Sequence, residues 1–239
     1  MSVDNAAAER IIVALDVPRV GDAVGLVEQL QGRVDFFKVG LQLLLAPGNE
    51  SFVRGLVQTG RRVFLDYKFH DIPETVKQAV ARATDLGATL LTVHATPQVM
   101  KAAVEGRGSA AFPKIVAVTV LTSLSGDDLR AMGHAQSPAE LVEMRARQAL
   151  DADCDGVVAS GQEAAAVRKL AGDRPFLIVT PGIRPASAAI NDQQRVVTPA
   201  QAIANGADYL VIGRPITAAP DPAQAADAIA AEIATAIKS

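Results

Sequence analysis

A chain of 239 residues with 49% hydrophobic and 21% charged residues has ordinary globular composition, long enough for one large domain or two small ones. Its formal net charge is −3 and its strongest basic cluster is the pair Arg61-Arg62, so the electrostatic footprint of a protein that binds polymeric nucleic acid is missing. One cysteine, Cys154, excludes an intrachain disulfide and a multi-cysteine metal site, and no apolar run approaches the ~20 residues that a membrane helix needs.

Residues 1–10 are small, polar and partly acidic, without the basic and apolar segments of a signal peptide. They read as a flexible or capping extension of a cytoplasmic protein. A rhythm of short apolar runs follows, at residues 11–15, 34–39, 63–66, 89–93, 115–119, 156–159, 176–179 and 209–212. Each is near-continuously apolar, as strands covered on both faces are.

Between the runs lie segments of helical period. Val76, Ala79, Val80, Ala83 and Leu86 fall on one helical face, and similar stripes span residues 21–30, 138–150, 162–170 and 222–237. Gly60, Gly87, Gly172 and Gly206 mark helix ends just before the next strand. Eight βα units without a linker or break in composition predict an α/β fold, a single (β/α)8 TIM barrel over residues 1–239. A doubly wound open sheet is the runner-up. That sheet usually carries a glycine-rich turn after its first strand, where this chain has Asp16-Val17-Pro18-Arg19.

In a barrel, chemistry sits where strands end and βα loops begin. Asp16 ends the first run, Lys38 lies near the end of the second, Asp66 and Lys68 end the third, and Asp71 follows. Strand alternation puts Asp66 and Lys68 on one side and Tyr67 on the other. Each residue also has a plain structural explanation. Asp71 with Glu74 resembles a capping box, Lys38 can snorkel out of the rim, and His70 and His94 suit packing or loop positions. As a set they resist it, because two carboxylates and two amines on adjacent strand ends are expensive to desolvate unless paired. One unit-charge contact at ~4 Å is worth on the order of 4 kcal/mol at an effective dielectric of ~20. A row of Lys38, Asp66, Lys68 and Asp71 neutralises itself and sets a fixed acid beside a fixed negative charge.

The last run leads into Gly213-Arg214-Pro215-Ile216-Thr217, and the loops after strands seven and eight of such barrels commonly grip phosphate. Gly213 allows close backbone approach, and Arg214 offers a fork of donors. The loop at residues 180–197 is long for a compact domain, which points to function.

The run Asp66-Tyr67-Lys68-Phe69-His70-Asp71-Ile72-Pro73 closely resembles the signature of the orotidine 5′-monophosphate decarboxylase family, bacterial type. Val13-Ala14-Leu15-Asp16, Lys38-Val39-Gly40, Val118-Thr119-Val120-Leu121-Thr122-Ser123 and the segments 180–185 and 211–217 resemble further family blocks, in the family's order. The Asp-x-Lys-x-x-Asp spacing alone is shared with a wider superfamily; the ensemble is specific.

The resemblance implies decarboxylation of orotidine 5′-monophosphate to UMP in pyrimidine biosynthesis, without metal or organic cofactor. Lys68 would protonate the ring carbon, and Asp66 would sit beside the substrate carboxylate and hold the lysine network. Asp16 and Lys38 would contact the ribose hydroxyls and Thr122 the pyrimidine. Gln193, Gly213 and Arg214 would hold the phosphate, with Arg184 close by. Asp71 and Thr75 would reach into the neighbouring subunit's site, making the active unit a homodimer. Tyr67 and Glu74 stand where the family often has leucine and asparagine.

Two other readings compete. Sugar-phosphate enzymes of the same superfamily share the motif but use magnesium, with a carboxylate where this chain has Lys38, and an ammonium cannot ligate magnesium. A non-catalytic nucleotide-binding barrel would gain little from keeping four charges at its mouth.

Overall fold

Eight parallel strands pair in sequence order, and β1 closes onto β8, forming the closed barrel that the sequence predicts in preference to an open sheet. The computed structural model describes residues 5–185 and 196–237. In chain order these form α1 (Asn5–Ala8), β1 (Ile11–Ala14), α2 (Val20–Gln29), β2 (Phe36–Gly40), α3 (Leu41–Leu44), α4 (Asn49–Gln58) and β3 (Arg62–Phe69). Next come α5 (Pro73–Asp85), β4 (Leu90–His94), α6 (Pro97–Arg107), β5 (Lys114–Val118), α7 (Gly126–Ala131), α8 (Pro138–Asp151) and β6 (Gly156–Val158). The chain continues through α9 (Ala164–Ala171), β7 (Leu177–Thr180), α10 (Pro199–Ala204), β8 (Tyr209–Ile212), α11 (Arg214–Thr217) and α12 (Pro222–Ile237). Among the described residues no helix is long and apolar enough to cross a membrane.

Strand alternation divides the apolar residues into two cores. Ile12, Ala14, Phe36, Phe64, Leu90, Val116, Val179 and Val211 point inward and fill the barrel. Their neighbours Val13, Phe37, Val63, Leu65, Leu91, Ile115, Ile178, Leu210 and Ile212 point outward and pack with the helices. Burial on both sides explains why the strands read as unbroken apolar runs. The four glycines predicted at helix ends all take positive φ, from +57° at Gly172 to +91° at Gly206, where a Cβ would be strained. Capping boxes start α7 (Ser125 with Asp128), α8 (Ser137 with Glu140) and α10 (Thr198 with Gln201).

One end of the barrel is closed. The Arg62 guanidinium lies 4.6 Å above the Phe36 ring, and Tyr209 meets the same ring edge-on at 5.4 Å. Around them Asp208 pairs with Arg168 at 2.6 Å, and Asp155 pairs with Arg107 and Lys114. Each of these carboxylates also accepts a strand amide, Ile178 N–H and Ile115 N–H, at 2.8 Å. The charges at this end are spent on structure, which leaves the opposite end for chemistry.

Cys154, just before β6, is buried, and its thiol is pushed up to about 12, first by burial and then by Asp155 and Asp153, against Arg107. It behaves as a small apolar residue. At about pH 8 the native protein is expected to react with an aromatic disulfide reagent only as fast as it unfolds. Rapid stoichiometric labelling of the folded chain would contradict this.

Candidate active site

The inward columns that fill the barrel end in charge. Ala14 on β1 is followed two positions later by Asp16, Phe36 on β2 by Lys38, and Phe64 on β3 by Asp66 and then Lys68. A period of two therefore lifts each ionic side chain onto the top of an apolar layer. Tyr67, between them, faces outward, where its hydroxyl accepts a 3.0 Å hydrogen bond from Asn49 Nδ2 of α4.

The four charges form one alternating row. Lys38 Nζ stands 2.8 Å from Asp16 Oδ1 and 3.4 Å from Asp66 Oδ2, and Lys68 Nζ stands 2.8 Å from Asp66 Oδ1. The Lys38 side chain is only 9% exposed, so it does not snorkel to solvent; its ammonium is pinned between two carboxylates. Burial alone would push the Asp66 carboxyl up. The Lys38 and Lys68 charges, with hydrogen bonds from Lys68 and Thr92, outweigh that and hold it below the usual carboxylate range. Gly40 keeps the row open, since a Cβ there would lie 2.8 Å from Lys38 Nζ and 3.1 Å from Asp16 Oδ1.

The row forms part of the lining of a cavity of about 540 Å³ at the open end of the barrel, a size suited to a nucleotide-sized molecule. Thr122, Arg184, Gly213 and Arg214 line it as well, so eight of the predicted site residues converge on one space. Thr122 and Arg184 are buried, and Arg214 is exposed at the first turn of α11, with Gly213 as its N-cap. The stems of the loop after β7 are tied together, because Ile183 bridges to Val197 and Arg184 N–H donates to the Val197 carbonyl at 3.0 Å. Gln193 lies outside the described residues, as does most of the 180–197 loop. Gln42, Ser123 and Thr217 also line the cavity and were not singled out from sequence. Their signal was weak, since each lies in a loop or short helix without periodicity.

Asp71 does not complete the row within one chain. It lies beyond the end of β3, exposed, and its Oδ1 accepts the Ile72 N–H at 2.7 Å. Among the described residues it forms no ion pair, and neither it nor the exposed Thr75 lines the cavity. The capping box of Asp71 with Glu74 is not formed. Pro73 holds the first helical position, which drives Ile72 into the extended region (φ −60°, ψ 150°) and makes it the N-cap. Glu74 instead accepts from Gln78 at 2.8 Å along the helix.

His94 and His70 form a tilted ring pair with centroids 5.0 Å apart, and Thr96 Oγ1 lies 3.3 Å from His70 Nε2. Burial, then His70, Lys68 and Arg145, lowers the basicity of half-buried His94, which keeps this imidazole neutral near pH 7. Neither histidine lines the cavity.

Comparison with known proteins bears on the family and the fold. Residues 9–229 match the model of the orotidine 5′-phosphate decarboxylase / HUMPS family. The chain is 53% identical over 233 residues to an orotidine 5′-phosphate decarboxylase of Rhodopseudomonas palustris (strain HaA2), covering 98% of both chains. It is 55% identical over 228 residues to the enzyme of that name from Afipia carboxidovorans, covering 95% of this chain and 96% of that protein. Among solved structures, an orotidine 5′-phosphate decarboxylase from Lactobacillus acidophilus superposes with a TM-score of 0.81 at 37% identity. The match covers 94% of this chain and 99% of that one.

Proposed function

Because the chain belongs to the orotidine 5′-phosphate decarboxylase / HUMPS family, we propose that it converts orotidine 5′-monophosphate to UMP and carbon dioxide, the decarboxylation step of pyrimidine biosynthesis. It works as a cytoplasmic homodimer and requires neither metal nor organic cofactor. The observation that carries this reading is the Lys68 ammonium, held 2.8 Å from the partly buried Asp66 carboxylate within a nucleotide-sized cavity.

The bond between the ring carbon and the carboxylate breaks, carbon dioxide leaves, and the electron pair stays on the carbon in the plane of the ring. No conjugated electron sink of the pyridoxal type takes up that pair. Stabilisation then falls to fixed charge where the negative charge develops, which is the task of the Lys68 ammonium; its proton moves to the carbon and is replaced from solvent. Asp66 sits beside the departing carboxylate and keeps Lys68 in place. Asp16 and Lys38 hold the ribose hydroxyls, Thr122 the pyrimidine, and Gln193, Gly213, Arg214 and Arg184 the phosphate end. Asp71 and Thr75 act in the partner's site. Binding energy from the remote phosphate is realised at the reacting ring.

The sugar-phosphate chemistry within the same family meets an obstacle in Lys38, whose ammonium stands between Asp16 and Asp66, where a cation would have to bind. The deciding experiment follows the ultraviolet absorbance of orotidine 5′-monophosphate mixed with purified protein, with and without EDTA. Rapid loss of substrate absorbance, unchanged by EDTA, is expected. No turnover by fresh protein would overturn the proposal, and magnesium-dependent turnover of a sugar phosphate would replace it.

A further inference from the structure

The ladder between β3 and β4 is broken at one place, and the break lies beside the proposed proton donor. Register shifts between Leu65 and Phe69. Within that interval Lys68 takes a φ of +50°, and among the described residues Asp153 is the other non-glycine residue with positive φ. A side chain with a Cβ adopts this left-handed conformation only where its surroundings over-determine it. Here the surroundings are specific. The Lys68 N–H donates to Thr92 Oγ1 at 2.9 Å, and the Thr92 hydroxyl donates to Asp66 Oδ1 at 3.0 Å. That same oxygen receives Lys68 Nζ at 2.8 Å. Phe64 pairs with Leu90 and Leu65 with Leu91, so the next step of the register sets Thr92 beside Asp66, pointing inward. Thr92 is fully buried at 0% exposure, out of reach of a replacement solvent partner.

A ring therefore closes from the Lys68 backbone through Thr92 and Asp66 to the Lys68 ammonium. We propose that Thr92 is a positioning residue for the decarboxylation. Its one hydroxyl fixes the left-handed bend from which the Lys68 side chain departs and, at the same time, the orientation of the carboxylate that aims the ammonium. An apolar residue of the same shape would fill the core equally well and hold neither end of the lysine. This inference rests on the function proposed above.

The test uses the full-length enzyme with Thr92→Val, which keeps the shape and loses the hydroxyl, and Thr92→Ser, which keeps the hydroxyl and loses the methyl. Thr92→Val is expected to lower kcat by about 10- to 100-fold, the range seen when a group that orients a working ligand is removed, with KM changed far less. Loss of its hydrogen bond to Asp66 is also expected to move the acidic limb of the kcat profile, and the carbon-13 titration of the Asp66 carboxyl, to higher pH. Thr92→Ser is expected to stay within about threefold of the wild-type kcat with both titrations in place, even though it lacks a buried methyl and melts lower. An active wild type with unchanged kcat and unchanged Asp66 titration in Thr92→Val would overturn this inference alone. Should Thr92→Val fail to fold, Thr92→Ser decides: near-wild-type kcat with an unshifted limb supports the role, and a loss beyond about tenfold removes it. A wild type that does not decarboxylate would overturn the function first, and this role with it.

Discussion

Lys68→Ala is expected to lower kcat for orotidine 5′-monophosphate by at least about 10³- to 10⁴-fold, the combined weight of a positioned general acid and of one preorganised charge at the reacting atom. The loss should lie mainly in the chemical step. Asp66 keeps Lys38 at 3.4 Å and the Thr92 hydroxyl at 3.0 Å, so the carboxylate stays partly compensated and the barrel stays folded. Substrate binding is expected to weaken as well, because Asp66 then faces the substrate carboxylate with one cation fewer beside it. Lys68→Arg separates the two duties of the lysine. A guanidinium restores positive charge and does not give up its proton, so it should recover binding and little of kcat. Steady-state kinetics with a melting curve for each variant provide the check. A Lys68→Ala enzyme within tenfold of wild type would remove Lys68 from the chemistry.

That expectation was reachable from sequence because its two premises are of the kind that sequence records well. Strands buried on both faces leave continuous apolar runs, and Ile11–Ala14 or Leu90–His94 could hardly be mistaken. The period of two then states which polar residues share the barrel interior, and Asp66 and Lys68 do face the same cavity. Boundaries were less legible where burial and strand structure part company. Val34 is buried yet precedes β2, and β3 continues to Phe69, past the Asp66 at which its apolar run stops. The charges there look like the end of a strand because sequence alone cannot show that the inner side has become a polar cavity.

Thr92 was illegible for a related reason. A threonine within Leu90–His94 reads as one more β-branched core residue, and only the register with β3 sets its hydroxyl against Asp66. The start of α5 carries a pattern that the structure does not use. Asp71 and Glu74 have the spacing of a capping box, but Pro73 fixes the backbone so that Ile72 becomes the N-cap. The short helices α3 and α11 carry too few residues to show a period at all.

Released from capping, Asp71 is left exposed outside its own cavity, beside an Ile72 that is 67% exposed at the start of α5. An apolar side chain this open next to a carboxylate that forms no ion pair among the described residues suits a surface covered by a second copy, with Asp71 delivered to the partner's row of charges. The consequence is quantitative. Asp71→Ala and Lys68→Ala are each expected to be nearly inactive, Asp71→Ala by about 10²-fold or more, as for loss of one group that shapes a preorganised electrostatic site. If each site takes Lys68 from one chain and Asp71 from the other, a hybrid dimer holds one doubly altered site and one intact site. Equal amounts of the two variants, dissociated and reassembled at random, form hybrids in about half of the dimers and should recover about a quarter of wild-type activity. The recovered activity should show the wild-type KM, since the intact site is unaltered. Activity that stays at the level of the separate variants, in a mixture shown by mass spectrometry of differently tagged chains to contain hybrids, would place both residues in the same chain's site and remove the shared active site from the proposal.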